Sequence, residues 1–238
     1  MSAAGGSISL LLGTVLLRLW MTGIYQRYVR VGMGPWLAIA GVVVIVLGVV
    51  TLERTLPGRG SSDSGGDGSS DGDDDHHSHS HLPRVGFFLL APVVVLLLVA
   101  PPALGSYGVD RGAVVDVTAG APVFDPLDPP AGIPVEMSLT EFSQRAADHD
   151  GETFAGATVQ LTGFVADEDT PFRLARYQIA CCAVDAAPVV VRVTGSVGDP
   201  PGLDTWVTVT GTFAPDDDIP TLAATSLVEI PPPDDPYE

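Results

Sequence analysis

Pro35 to Leu52 reads PWLAIAGVVVIVLGVVTL, a run without a single charged residue. At about 1.5 Å of rise per residue, such a run covers a hydrocarbon core of roughly 30 Å as one helix. A core helix of a soluble domain would keep a polar face toward water, and this run has none. It is therefore read as a membrane span, with its peptide groups satisfied along the helix.

Two more spans lie on either side. Ile8 to Tyr25 (ISLLLGTVLLRLWMTGIY) is apolar apart from Arg18, and Val85 to Leu104 (VGFFLLAPVVVLLLVAPPAL) is the most apolar of the three. A cleaved signal peptide does not fit the first, because no charged n-region precedes it and no A-x-A site follows. An ionised side chain within a span is costly unless it is paired, snorkels or faces a bundle interior, which makes Arg18 a candidate contact to a partner subunit. Pro92 frees a carbonyl and bends the third span, a second candidate contact.

Residues 54–84 form a loop dominated by Gly, Ser and Asp, disordered by composition. It ends in DDDHHSHSH, where His76, His77, His79 and His81 follow three aspartates. Closely spaced imidazoles and carboxylates supply nitrogen and oxygen ligands to Zn²⁺ or Cu²⁺; without a scaffold, the binding is weak and exchangeable. The alternative is a merely solvating linker. Arg27 and Arg30 lie in the first connection, against Arg54, Arg59 and Arg84 around the loop. The positive-inside rule then puts the loop in the cytoplasm and the C-terminal domain outside it.

The chain carries a formal charge of −18, yet has a mean hydropathy of +0.32. All of its cations are Arg. This acidity argues against nucleic acid as a partner, since affinity for phosphate backbones comes from cationic side chains that release counterions. Apolar spans joined to an acidic domain account for both values. The expected organisation is two transmembrane helices in 1–53, the loop 54–84, a third helix in 85–104, a linker 105–131 and an all-β domain in 132–238.

Within that domain Ser138-Leu-Thr-Glu141 has capping-box form and opens a short helix, SLTEFSQRAADH. Alternating apolar and polar residues then predict strands over Thr158–Ala166, Phe172–Ala180, Pro188–Thr194, Thr205–Phe213 and Leu222–Ile230. Five short strands in succession predict a small barrel, OB-like in type, with Gly163 and Gly211 at bends.

Cys181 and Cys182, the chain's two cysteines, stand side by side in IACCAVDAAPVVVRV, ahead of a strand. Neighbouring cysteines close no ordinary disulfide loop. Three readings stay open: two small apolar side chains, a strained and easily reduced redox pair, or a dithiol that binds Zn²⁺, copper or a metalloid together with Asp185. Successive side chains of a strand point to opposite faces, so chelation by both sulfurs requires a turn at CCAVDA.

Gly163-Phe-Val165, RYQIACCAVDAAPVVVRV, WVTVTGTF and the closing PPPDDPYE, in this order, resemble the YcgQ-like family of small bacterial membrane proteins. The likeness extends back over the paired spans, the His/Asp linker and a third span with a central Pro. What the resemblance implies is a multi-pass protein of the bacterial cell membrane whose partner is a larger multi-span permease subunit. The positions that carry the family motif are Arg176, Cys181, Cys182 and Asp185, with Trp206 and Gly211 in the following strand.

The expected function is therefore an accessory permease subunit, embedded in membrane lipid, that handles a metal or metalloid ion through the His/Asp loop and the dithiol. A structural or regulatory docking subunit without a ligand of its own is the alternative. A thiol oxidoreductase is a weaker third reading, because C-x-x-C spacing is absent. No general-acid pair or nucleophile–base set is visible, and the chain is not expected to be an enzyme.

Overall fold

The computed structural model describes residues 3–55, 102–111, 121–130, 132–195, 197–198, 200–216 and 219–238. The chain divides into two compact units, 1–22 with 35–101, and 23–34 with 102–238.

In the first unit, helix α1 (Ala3–Thr22) packs against helix α2 (Gly34–Thr55), which enters it from Pro35 onward. Gly6 and Gly13 of α1 face Gly48 and Gly41 of α2, so the helices run antiparallel with backbones in near contact. A Cβ placed on Gly13 would stand 2.7 Å from the Gly41 carbonyl oxygen, and one on Gly48 would stand 3.0 Å from that of Gly6. Small residues permit this approach, the usual way for helices to associate where lipid removes the hydrophobic drive. Hydroxyls are satisfied within each helix: Ser9 donates to the Gly5 carbonyl and Thr51 to that of Leu47.

Large apolar side chains point outward, with Leu11, Met21, Trp36, Ile39 and Val46 all exposed. Only 11% of each helix's most apolar window is buried, whereas the core helix of a soluble domain would be mostly covered. Two helices among the described residues are thus long and apolar enough to cross a membrane. The third expected span, 85–104, lies almost wholly outside the described residues, as do Pro92 and the His-rich loop.

The second unit is built on six strands: β1 (Val135–Glu136), β2 (Thr158–Val165), β3 (Phe172–Gln178), β4 (Ala187–Thr194), β5 (Trp206–Ala214) and β6 (Thr221–Glu229). Their order is β1-β2-β3-β4-β6-β5, and β2 also pairs with β5, which closes β2–β6 into a five-stranded barrel. All of these barrel pairings are antiparallel except β4 with β6, joined in parallel through Arg192↔Thr221 to Thr194↔Ala223. The predicted strands fall within about a residue or two of the observed ones, the usual spread at element ends. The two-residue β1 had no sequence signal.

Inward positions alternate along each strand and meet in one cluster that includes Val159, Leu161, Leu174, Val191, Val209 and Leu222, each under 2% exposed. Helix α3 (Leu139–Ala147) packs its Leu139 and Phe142 against this cluster. Phe142 and Phe154 stand 5.0 Å apart, and Phe154 stacks on Phe213 at 4.7 Å. Both strand glycines sit where a side chain would collide. A Cβ on Gly163 would lie 2.7 Å from the Ala175 carbonyl, and Gly211 occupies the register shift between β5 and β6, with Ala224 Cα 2.8 Å from its would-be Cβ.

A second cluster gathers Phe164, Tyr177, Ile179, Trp206 and Tyr237. The segment 102–111, which covers the end of the expected third span and the start of the expected linker, is fastened here. The Tyr177 hydroxyl donates to the Gly105 carbonyl at 2.9 Å, and the Ser106 N–H to Asp204 Oδ1 at 2.6 Å. Arg173 joins Asp110, at 2.8 Å, to Asp167, which also caps the Arg173 N–H. These two carboxylates hold the guanidinium pKa above its usual value.

Candidate metal centre

The dithiol lies between β3 and β4. After Gln178 the chain leaves the barrel wall and turns through a short 3₁₀ segment, Ala183–Asp185, before entering β4. Asp185 organises this turn. Its Oδ1 accepts the Ala180 N–H at 2.9 Å, and its Oδ2 accepts those of Cys181 at 2.9 Å and Cys182 at 3.3 Å. Cys182 closes a reciprocal cap, since its sulfur accepts the Asp185 N–H while the carboxylate accepts its own. A carboxylate three residues on thus gathers consecutive N–H groups and folds a would-be strand end into a tight turn.

As a consequence both sulfurs face one side. Cys181 Sγ and Cys182 Sγ lie 3.7 Å apart, and the two sulfurs and one carboxylate oxygen all fall within 4.8 Å of one another. A tetrahedral ion with metal–sulfur bonds near 2.3 Å needs sulfurs about 3.8 Å apart, whereas a linear two-coordinate ion needs about 4.6 Å. The spacing fits the former. Cys181 is exposed, Cys182 half-buried and Val184 at the tip 95% exposed, so the group opens to the surface. Three protein ligands leave a fourth position for solvent or a second ligand.

The electrostatics follow from the same hydrogen bonds. The Cys181 thiol and the N–H groups of the turn hold the Asp185 carboxyl down to about 2. Hydrogen bonding to Asp185, then to Cys182, pushes the Cys181 thiol up to about 11. At neutral pH Cys181 therefore carries its proton, which makes it a poor nucleophile. A soft cation held here would take the place of that proton between sulfur and carboxylate.

The turn is held from its other edge by residues 23–34, the connector between the helices, which belongs to this unit. Val29 forms an antiparallel bridge with Cys182. The Arg30 N–H donates to the Cys181 carbonyl at 3.1 Å, and the Ala183 N–H to the Tyr28 carbonyl at 2.8 Å. Such pairing is long-range and left no trace in the local pattern.

Other candidates stand elsewhere. Arg18 is exposed on α1, one turn before its end at Thr22, a depth from which a guanidinium reaches the interface. His76, His77, His79 and His81 lie outside the described residues. Arg176 does not join the cysteines. Its guanidinium donates to the carbonyls of Asp235 at 2.7 Å and Tyr237 at 3.2 Å and lies 5.8 Å from the Trp206 ring centre, fastening residues 231–238 to the barrel. Trp206 is core and Gly211 marks the bulge, so these motif positions maintain the fold. Two anchors were not foreseen. Tyr237 bridges to Tyr177, and the Glu238 carboxylate accepts the N–H groups of Leu139 and Thr140 at the start of α3.

A search of curated proteins finds no match to the chain. Residues 6–112, which hold the connector and nearly all of the helical pair, match the DUF1980 N-terminal domain, and residues 143–238, which hold the barrel and its dithiol turn, match the DUF1980 C-terminal domain. With both domains present in order, the chain belongs to the DUF1980 family.

Proposed function

We propose that the chain is a membrane-anchored accessory subunit of a permease, of the YcgQ-like set, that binds a soft metal or metalloid ion at Cys181, Cys182 and Asp185. The observation that carries this reading is the geometry of the turn: two sulfurs 3.7 Å apart with a carboxylate beside them, Cys181 exposed and Cys182 half-buried, and neither in a disulfide. The barrel's strand order and its parallel β4–β6 pairing support an OB-like reading of the domain. The two lipid-compatible helices support a multi-pass location in the bacterial cell membrane, with Val85 to Leu104 as the third span and the barrel outside the cytoplasm. The His76–His81 run enters the proposal through its sequence alone, as a capture segment on the opposite side.

The test is the metal content of anaerobically purified full-length protein by mass spectrometry, with and without added zinc or arsenite. With Asp73 to His81 deleted from both forms, the expected result is about one equivalent bound with the native cysteines and none with Cys181→Ser/Cys182→Ser. Equal binding by both would move the site away from the turn. A second reading, a docking subunit that carries no ion, draws on the connector being bound into the barrel unit. Absence of metal from every form would put it first.

A further inference from the structure

The backbone of the dithiol turn is shared between two partners. On one edge the Cys181 N–H donates to Asp185; on the other, the Cys181 carbonyl accepts the Arg30 N–H. Cys182 is bridged to Val29, and the Ala183 N–H reaches Tyr28. Every residue from Cys181 to Ala183 is therefore paired with the connector, while its neighbouring side chains form the candidate ion site. The connector is tied down again further back, where the Tyr237 hydroxyl donates to the Arg27 carbonyl at 2.7 Å.

We infer that ion occupancy of the dithiol turn is transmitted to the connector that joins the two helices, so that the barrel reports the presence of a soft ion to the membrane segment. This rests on the reading of the turn as an ion site. A bound ion fixes the side-chain torsions of Cys181, Cys182 and Asp185 together and removes the freedom of the turn between them. The connector then pairs with a partner that is already ordered and loses less entropy in doing so. The coupling is reciprocal: whatever factor the ion adds to connector docking, docking adds to ion affinity. No change of shape is needed, because the sulfurs already stand at a chelating distance.

Two measurements on the full chain in detergent micelles or nanodiscs test this. In the first, hydrogen exchange of peptides covering Tyr25 to Met33 is followed with and without saturating zinc, and separately arsenite. Exchange is expected to slow about fivefold or more, and not to respond in Cys181→Ser/Cys182→Ser. In the second, zinc affinity is compared between the native chain and Arg30→Pro. Arg30 has φ −54° and ψ 140°, angles that proline adopts, so the substitution deletes the N–H donor without straining the backbone. The dissociation constant is expected to rise, by at most the factor seen in the exchange experiment. An ion that binds while connector exchange and Arg30→Pro affinity stay unchanged overturns the coupling and leaves the site standing. An ion that fails to bind any form overturns both.

Discussion

The Tyr237 hydroxyl donates to the Arg27 carbonyl at 2.7 Å, a bond between residues 210 positions apart, and accepts from the Leu104 N–H at 3.4 Å. One phenol thus ties the connector and the segment entering the barrel to the strand-like tail. Burial raises its pKa, which keeps it protonated and able to donate throughout the neutral range. In Tyr237→Phe the ring still fills its place, while Arg27 and Leu104 lose their partner. We expect a loss of about 1–2 kcal/mol, read by pulse proteolysis in urea, with earlier cleavage in the connector. Unchanged protection there would mean that the connector is held by the dithiol turn alone.

Glu238 acts on α3 as a cap delivered from far along the chain. Its two oxygens accept the N–H groups of Leu139 and Thr140 and the Thr140 hydroxyl, while Ser138 accepts from Glu141. Between them the two residues satisfy donors that the helix itself leaves open and place a negative charge at its positive end. Glu238→Ala is expected to cost about 1–2 kcal/mol, and Ser138→Ala about 1 kcal/mol. Glu238→Gln should fall between native and Ala, because an amide oxygen still accepts but carries no charge. A Gln variant as weak as Ala would show that charge, and not the hydrogen bonds, carries the effect.

In the helical unit, Gly13 is the position with least room. A Cβ there meets Gly41 O at 2.7 Å and Ile45 Cγ1 at 2.6 Å, so any side chain forces the helices apart. Gly13→Leu is expected to weaken the pairing by about 1–3 kcal/mol, the range for overpacked cores. The mole fraction of SDS that separates the helices, followed by the fluorescence of Trp20 and Trp36, should fall in Gly13→Leu. An unchanged midpoint would mean that the contact tolerates separation.

The parts that were legible in the sequence are those governed by local chemistry. Alternation along TVQLTGFVA and PVVVRVT located strands because one face of each is core. The S-x-x-E spacing located α3 because its cap lies within one turn. The need for a turn at CCAVDA followed from strand geometry, and Asp185 supplies it. What was not legible is held by distant partners. The parallel pairing of Val135 with Val159 is too short for a period to show, and the bridge from Val29 to Cys182 joins segments with no shared pattern. Arg176 stood out as a motif residue, yet its task of holding residues 235–237 depends on a fold the local pattern does not contain.

The opposed shifts of Cys181 and Asp185 lead to a prediction with a definite sign. The Asp185 carboxyl is held near 2, below its ordinary value, so its contribution is present above about pH 4 and lost as pH falls toward 2. The Cys181 thiol is pushed up to about 11, so its protonated form is favoured in the fold below its ordinary range and that preference fades as pH rises toward 11. Hydrogen bonding to Asp185 is the main cause of the Cys181 shift, and removing that carboxylate returns the thiol toward its usual behaviour. In Asp185→Asn at pH 8 the thiolate fraction rises by up to about 100-fold, while the lower basicity of the sulfur takes back about tenfold in reactivity. Iodoacetamide should therefore label Cys181 about five- to tenfold faster in Asp185→Asn than in the native chain, measured by mass spectrometry of the 177–192 peptide. Equal rates would mean that the carboxylate does not restrain the thiol proton, and that an ion entering the turn has no such proton to displace.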